Sequence, residues 1–360
     1  KVHDFEKDPI ETVVCGDWLK ADGTTLGADN GLGVALALSV AQSKDVPHGP
    51  IEILVTYDEE TGMTGAFGLK AGMLNGKILI NLDSETEGEL YVGCAGGLDA
   101  NITFKYKTAP MPKGYKAFKI IAKGLRGGHS GMEINEGRGN ANKLLTRLLW
   151  AATEETKIGL ARIDGGNLRT AIAREAWADV VVLAEMSDTL KKLVENLGKK
   201  LQFEFRSTEP HLNISIEPVA MPSCLVDRQT QYNLINSLYA CAHGVLAMSR
   251  EIENFVETST NLASIKMDEK QIHIATSQRS SVESAKIAAA QKIEATFRMI
   301  GAHVSHGDGY PGWTPNPNSR VLKVGVETYQ KMFGHAPVVR AIHAGLECGL
   351  IGEKYPQMDM

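Results

Sequence analysis

The sequence predicts an α/β domain with a mixed, mainly parallel sheet, interrupted by an inserted α+β domain, and three observations carry that reading. Two apolar, β-branched runs, Ile51-Glu-Ile-Leu-Val-Thr-Tyr and Lys77-Ile-Leu-Ile-Asn-Leu, each end in acids, as buried parallel strands do when they deliver polar groups to their C-terminal edge. A glycine-rich patch, Gly93-Cys-Ala-Gly-Gly97, then closes the region. Beyond it the texture changes to short alternating strands such as Asn101-Ile-Thr-Phe-Lys-Tyr and Phe118-Lys-Ile-Ile-Ala-Lys, which suit a half-exposed antiparallel sheet.

Taken in order, Glu11-Thr-Val-Val-Cys15 and Trp18-Leu-Lys read as a short hairpin. Gly27-Ala-Asp-Asn-Gly-Leu-Gly33 is a turn carrying one acid, Asp29, ahead of a helix of small apolar residues from about 32 to 41. The first apolar run brings Asp58, Glu59 and Glu60 to its end. A helix from Gly62 returns the chain to the second run, which stops at Asp83. Consecutive parallel strands would bring Asp29, Glu59, Glu60 and Asp83 to one sheet edge. Four ionised carboxylates in a small volume raise one another's pKa unless cations sit among them, so the pattern points to a metal site. An isolated acidic triplet would instead be a solvated turn.

In the inserted region, Gly127-Gly-His-Ser-Gly131 precedes a helix from about 140 to 152 with Leu144, Leu145, Leu148 and Leu149 on one side. Two stretches, over about 167–217 and 256–306, repeat the order strand, strand, helix, strand. The first pairs Leu168-Arg-Thr-Ala-Ile with Ala178-Asp-Val-Val-Val-Leu; the second pairs Asn261-Leu-Ala-Ser-Ile-Lys with Gln271-Ile-His-Ile-Ala. The turn-rich Gly309-Tyr-Pro-Gly-Trp-Thr-Pro leads back to the first domain. A helix from Val321 to Phe333 follows, and a strand from Ala336 ends at His343-Ala-Gly-Leu-Glu347. The predicted domains are 1–97 and 309–360 for the α/β part and 98–308 for the insertion.

Composition narrows the function. A chain of 360 residues, 43% hydrophobic, with 38 basic against 43 acidic residues and a net charge of −5, has no basic stripe of the kind nucleic acid requires. No run approaches 18 apolar residues, so no membrane span is expected. The five cysteines, Cys15, Cys94, Cys224, Cys241 and Cys348, are far apart and without CxxC spacing, as in a reducing, cytoplasmic setting.

Several single residues have two readings. His129, between glycines, is either a loop histidine satisfied by backbone or a catalytic one. Arg279 is either a solvated strand-end cation or an anion clamp, and Asn167 after two glycines is evenly balanced. Cys348 beside His343 lacks a third, orienting group and leaves the acids unexplained, which argues against a cysteine hydrolase. His303 and His306 fall on opposite faces of a strand and read as surface residues, not as a metal pair.

Five motifs, Gly27-Ala-Asp-Asn-Gly-Leu-Gly, Asp58-Glu-Glu-Thr-Gly, Asn81-Leu-Asp-Ser-Glu, Gly127-Gly-His-Ser-Gly and Ile342-His-Ala-Gly-Leu-Glu-Cys-Gly, occur along the chain in the order found in the di-zinc M20 metallopeptidases. The chain resembles that family over essentially all its residues, and within it the aminoacyl-histidine dipeptidases, which cleave β-Ala-His and related dipeptides. The resemblance implies a zinc-peptidase catalytic domain, a lid with ferredoxin-like units that carries a homodimer contact, a small peptide as substrate, and two zinc ions, replaceable by cobalt or manganese. It implies Asp29 as bridging ligand, Glu60 and Asp83 as ligands to one zinc each, and Glu59 as general base. By the same resemblance His129 donates to the oxyanion and Arg279 grips the substrate carboxylate, while Asn167, His343, Gly345 and Glu347 line the pocket. Two further histidine ligands of the family, in His-x-Asp-x-Val and Gly-x-His-Ser-Pro segments, have no counterpart here. The expectation is therefore a chain lacking the family's two ends and holding zinc weakly. Another amide hydrolase of the superfamily, an aminotripeptidase or N-acyl amino acid deacylase, and a non-catalytic dimerising module are the alternatives.

Overall fold

The computed structural model describes residues 3–84 and 86–360. They divide into two compact units, Lys1–Leu90 with Pro317–Val339 and Ile351–Met360, and Tyr91–Asn316 with Arg340–Leu350.

In the first unit, β1 (Thr12–Cys15) and β2 (Trp18–Ala21) form the expected hairpin, with Cys15 opposite Trp18. Helix α1 (Ala28–Gln42) follows the turn at Gly27, whose φ of 76° suits glycine. Asp29 and Asn30 depart from helical geometry, and the Asn30 side-chain oxygen accepts from Gly33 N–H at 2.9 Å, so asparagine caps the regular part of the helix. Two short helices, α2 (Glu59–Gly62) and α3 (Thr64–Gly68), carry the chain past the acids.

The two apolar runs depart from expectation. Among the described residues neither 51–57 nor 77–82 enters a strand ladder; Ile78 makes one parallel bridge to Asp359. Ile51, Val55, Ile78 and Ile80 are 45, 61, 56 and 69% exposed. An apolar run becomes a strand only where a neighbour takes its backbone hydrogen bonds and covers its side chains; here Asp359 takes only those of Lys77 O and Leu79 N–H, and the side chains stay largely exposed.

The chain passes between the units along β3 (Glu89–Cys94). The second unit then supplies β4 (Gly96–Lys105), β5 (Thr108–Pro110), β6 (Tyr115–Lys123), α4 (Ala141–Thr156), β7 (Gly159–Gly165), β8 (Ala176–Leu183), α5 (Ser187–Glu204) and β9 (Asn213–Pro218). After these come β10 (Cys224–Val226), α6 (Arg228–Ala240), β11 (Gly244–Met248), β12 (Val256–Met267), β13 (Gln271–Ser280), α7 (Glu283–Arg298) and β14 (His303–His306). Nine strands make one sheet in the order β14-β4-β13-β12-β7-β8-β6-β9, with β11 beside β12.

That order contains the same β-α-β-β-α-β unit twice. One repeat is β6-α4-β7-β8-α5-β9; the other is β4-α6-β12-β13-α7-β14, into which the first is inserted between β4 and α6. Each has its strands in the spatial order fourth, first, third, second, and the two second strands meet at a seam where Ile265 of β12 faces Gly165 of β7. Above the seam α4 packs on α6. Lys143 Nζ donates to the carbonyls of Leu238, Tyr239 and Cys241 at 2.9, 2.8 and 2.7 Å, satisfying the end of α6, and Trp150 Nε1 donates to Asn236 at 3.2 Å. Leu144, Leu145, Leu148 and Leu149 are buried in a core shared by both repeats. The opposite face is polar, with Lys119 paired to Asp179 across β6 and β8 and lying over the Trp177 ring.

The expected strand Leu168–Ile172 is a loop instead; the strands beside β8 are β6 and, where that run was expected, β7. Gly165 and Gly166 end it, because at Gly166 (φ 62°) the backbone turns so close to Ala263 that a Cβ would lie 1.9 Å from its carbonyl oxygen. The last elements are α8 (Arg320–Phe333), capped by Ser319 on Leu322 N–H at 3.0 Å, β15 (Val338–Ile342) and α9 (Glu347–Lys354). The chain crosses between the units at different places from those the glycine and turn signals suggest. Segments 91–97, 309–316 and 340–350 all lie in the second unit, held by Cys94 N–H to Trp313 O (2.9 Å), Gly97 N–H to Tyr310 O (3.1 Å) and Ala95 N–H to Ile342 O (3.0 Å). Turn residues mark where a chain bends, not which core it joins.

Candidate active site

The candidate residues fall in both units. In the first, Asp29 stands in the opening turn of α1 and is exposed, and the Asp29–Asn30 peptide is cis. Asp58 has a left-handed backbone (φ 59°) and accepts a hydrogen bond from Thr64 Oγ1, which turns the chain so that Glu59 and Glu60 begin α2. Gly65 allows this turn to close: its N–H reaches Tyr57 O at 3.0 Å, and a Cβ there would lie 2.6 Å from Tyr57 N. Glu59 is half-buried and Glu60 exposed; Asp83 is half-buried at the end of the second apolar run. The donor chemistry, carboxylate oxygen, suits a divalent cation. The arrangement does not complete a site: among the described residues no three His, Cys, Asp or Glu side chains are grouped so that they could hold a metal ion.

In the second unit the candidates converge. The His129 loop turns on Gly127 (φ 68°) and Gly128 (φ 134°), and Ile172 N–H to Gly128 O (2.8 Å) and Ser130 N–H to Thr170 O (2.8 Å) zip it to the loop that replaced the expected strand. His129 N–H donates to Glu133, whose carboxylate also pairs with Arg138, and Arg138 Nη1 returns to Gly127 O at 2.7 Å. The ring is fixed by two backbone donors, Gly131 N–H at 3.2 Å and Met132 N–H at 3.1 Å, both aimed at Nδ1. Nδ1 is therefore the acceptor, and the neutral ring carries its proton on Nε2. Burial, followed by the nearby Arg279 guanidinium, holds its pKa below the ordinary histidine value, with Glu133 opposing.

Arg279, next to last in β13, is 5% exposed. Its Nη1 donates to Tyr310 Oη at 2.8 Å, and its Nε has no partner among the described residues. His343 is buried with Nε2 at 2.7 Å from Ser259 Oγ; burial, then Arg279, pushes its pKa down to about 3, so it is neutral at physiological pH. Gly131 marks the point where these groups meet. A Cβ there would lie 2.2 Å from His343 O, 3.1 Å from His129 Cε1 and 3.2 Å from Arg279 Cδ. Gly345 and Glu347 follow His343 and are half-buried. Asn167 is exposed and stands apart from this cluster in its contacts. It accepts from Lys266 Nζ at 2.9 Å and lines, with Gly128, Ala171 and Arg174, a cleft of about 480 Å³. A larger cleft of about 620 Å³, lined by Lys105, Lys107 and Gln271, lies at the far end of the β4–β13 ladder from Arg279.

The sequence reading missed Tyr310, Ser259 and Glu133. Tyr310 lay inside a stretch read only as a turn. Ser259 and Glu133 carry no motif, and only the register of β12 and the tightness of the His129 loop bring them in.

Residues 120–209, which span most of the first repeat, match the family described as the M20 peptidase dimerisation domain. The chain is 44% identical over 359 residues to the cytosol non-specific dipeptidase of Escherichia coli, an alignment covering 100% of this chain and 74% of that protein. The crystal structure of the aminoacylhistidine dipeptidase from Vibrio alginolyticus superposes with a TM-score of 0.94 at 43% identity, again over 100% of this chain and 74% of the other. Similarity of that degree along its whole length makes this chain a member of the M20 family of metallopeptidases.

Proposed function

We propose that the protein hydrolyses dipeptides with C-terminal histidine, β-Ala-His among them. The observation that supports this best is the pairing in one cluster of a buried, incompletely hydrogen-bonded guanidinium with a histidine whose proton is held on Nε2. A dipeptide carries a free carboxylate one residue from its scissile carbonyl. Arg279 binds that carboxylate, which a desolvated guanidinium favours strongly. His129 Nε2–H then donates to the carbonyl oxygen as negative charge develops there, an interaction that strengthens towards the transition state. Because His129 is neutral near pH 7, it can act as a donor without bringing a second cation beside Arg279. We assign His343, Gly345 and Glu347 to the pocket wall and Asn167 to its rim.

Family membership implies a divalent metal. We propose a pair of zinc ions, with cobalt or manganese as substitutes, and Asp29, Glu60 and Asp83 as their carboxylate ligands; Glu59 is the proposed proton acceptor. The three acid-bearing turns and the family support this, although the described residues do not themselves gather into one site. Among the described residues no helix is long and apolar enough to cross a membrane, and the relative named as cytosolic supports a cytoplasmic location. We propose a homodimer through the second unit on the strength of the dimerisation-domain match. The β7–β12 seam is already taken up within the chain, which leaves the outer edges of β9, β11 and β14 for that contact.

Side-by-side turnover of Ala-His, a tripeptide and an acetylated amino acid tests the substrate assignment. Faster cleavage of either of the last two would replace it with an aminotripeptidase or deacylase. In a protein that also carries the family's two further histidine ligands, Glu59→Gln should lose roughly two to four decades of rate while metal content by atomic emission stays at the parent level; loss of metal as well would exchange the roles of Glu59 and Glu60.

A further inference from the structure

We infer that Tyr310 is a positioning residue for substrate recognition, its hydroxyl holding Arg279 so that the Nε edge of the guanidinium is presented to the peptide's terminal carboxylate. The inference rests on the assignment of Arg279 above and adds the group that aims it. An arginine side chain has many rotamers, and one that must meet a carboxylate edge-on binds well only if its plane is fixed beforehand. Here one edge is already used, since Nη1 donates to Tyr310 Oη at 2.8 Å. Nε, on the other edge, is buried and without a partner among the described residues. A buried donor left unmatched costs free energy unless a ligand completes it, and a carboxylate accepting from Nε and Nη2 together is the matching fork.

Tyr310 is itself held tightly enough to act as a reference point. Its backbone exchanges both hydrogen bonds with Gly97, at 2.9 and 3.1 Å. Gly97 lies opposite Arg279 in the β4–β13 ladder, and a Cβ there would lie 2.5 Å from the Tyr310 ring, so the missing side chain is what admits the ring beside Arg279. Lys286, 4% exposed on α7, donates to Tyr310 O at 2.8 Å and fixes the turn from the other side. Burial, opposed in part by Arg279, holds the Tyr310 pKa above the ordinary tyrosine value, so the hydroxyl accepts from Arg279 as a neutral phenol and adds no competing negative charge where the carboxylate must bind.

The test is binding of Ala-His and of its C-terminal amide by calorimetry with EDTA present, so that hydrolysis does not run. Wild type should prefer the free acid, and Arg279→Ala should abolish the preference. Tyr310→Phe, which keeps the ring and removes the acceptor, should reduce the preference roughly tenfold, the effect of losing one hydrogen bond to a charged group. Amide binding and the denaturation midpoint should be unchanged. Gly97→Ala, which pushes the ring aside while keeping the hydroxyl, should reduce the preference in the same way. If Tyr310→Phe keeps the wild-type preference, or weakens acid and amide equally, the positioning role is overturned. If wild type binds neither peptide, or does not distinguish acid from amide, the carboxylate assignment of Arg279 fails instead.

Discussion

The two repeats of the second unit share one topology and one core, yet they differ where chemistry would be done. Next to last in its third strand, one repeat has Val182, fully buried and apolar; the other has Arg279, also buried but cationic. The connection from first strand to first helix is a glycine-hinged loop bearing His129 in one repeat. In the other, the same connection is the entire first repeat. The difference shows that the architecture is fixed by apolar periodicity, which both repeats satisfy, whereas the site depends on a few positions that periodicity leaves free.

The largest expected effects test what the repeats share. Leu145→Ala in α4 and Leu234→Ala in α6, both fully buried in the common core, should each cost about 2–5 kcal/mol. A single urea transition in both variants would show that the repeats unfold together; two transitions would separate them. The next effect tests what differs. Arg279→Met gives the second repeat an apolar residue where the first has Val182. It should lower kcat/KM for Ala-His by roughly two decades, the scale for truncating a desolvated charge pair, while the denaturation midpoint holds or rises, because a buried cation contributes little to stability. A fall in midpoint matching the loss of activity would make Arg279 structural.

Proton uptake sharpens the comparison further. Burial pushes His243, in the second repeat, down to about 4, and His343, packed against β12, down to about 3. Both pKa values are depressed below the unfolded value near 6.5. As pH falls below that value the unfolded chain takes up protons that the native state refuses, so stability should be full near neutrality and decline from about pH 6.5 towards 4. The slope should be at most about 1.4 kcal/mol per pH unit for each group. Urea midpoints at pH 7 and 5 check this, and His343→Gln should flatten the dependence. The smallest effect returns to symmetry. Asn140 caps α4 through Asn142 and Lys143 N–H, and Asp227 caps α6 through Thr230 N–H. Replacing Asp227 by Ala should cost about 1 kcal/mol. Asp227 also accepts from Thr230 Oγ1 and from Lys107 N–H at 3.3 Å, so the bond that Asn140 Nδ2 gives Leu262 O across the seam at 2.9 Å is tested within α4: Asn140→Ser, which keeps a capping oxygen and removes that donor, should still destabilise, and no loss would mean that the seam bond contributes nothing.

What was legible in the sequence follows the same division. The helices α4, α5, α7 and α8 and the β12–β13 pair could be read from periodicity, because each has one apolar face, buried in α4, α5, α7 and the strand pair and half-buried in α8. The runs 51–57 and 77–82 could not, because a strand needs partners that its own residues do not name. His129, Arg279 and His343, given roles by the family resemblance, do meet around Gly131, whereas the four carboxylates, expected together because apolar runs end in three of them, do not gather among the described residues. Tyr310 and Ser259 carried no local signal, since their roles come from ladder register and from a glycine that leaves room for a ring.

The insertion of one repeat within the other also sets an order of assembly. β4 leaves the ribosome before the whole first repeat, but its partners β13 and β14 and the helix α7 that covers it come after that repeat. The first repeat is contiguous, so β6, β7, β8 and β9 can pair while the rest of the chain is still being made; the face of α4 that packs on α6 and the edge of β7 that meets β12 are covered only when the second repeat follows. Until β13 arrives, β4 presents a bare sheet edge containing Ile102 and Phe104, side chains that are buried in the finished protein. During that interval the unpaired apolar strand is open to edge-to-edge pairing with another chain.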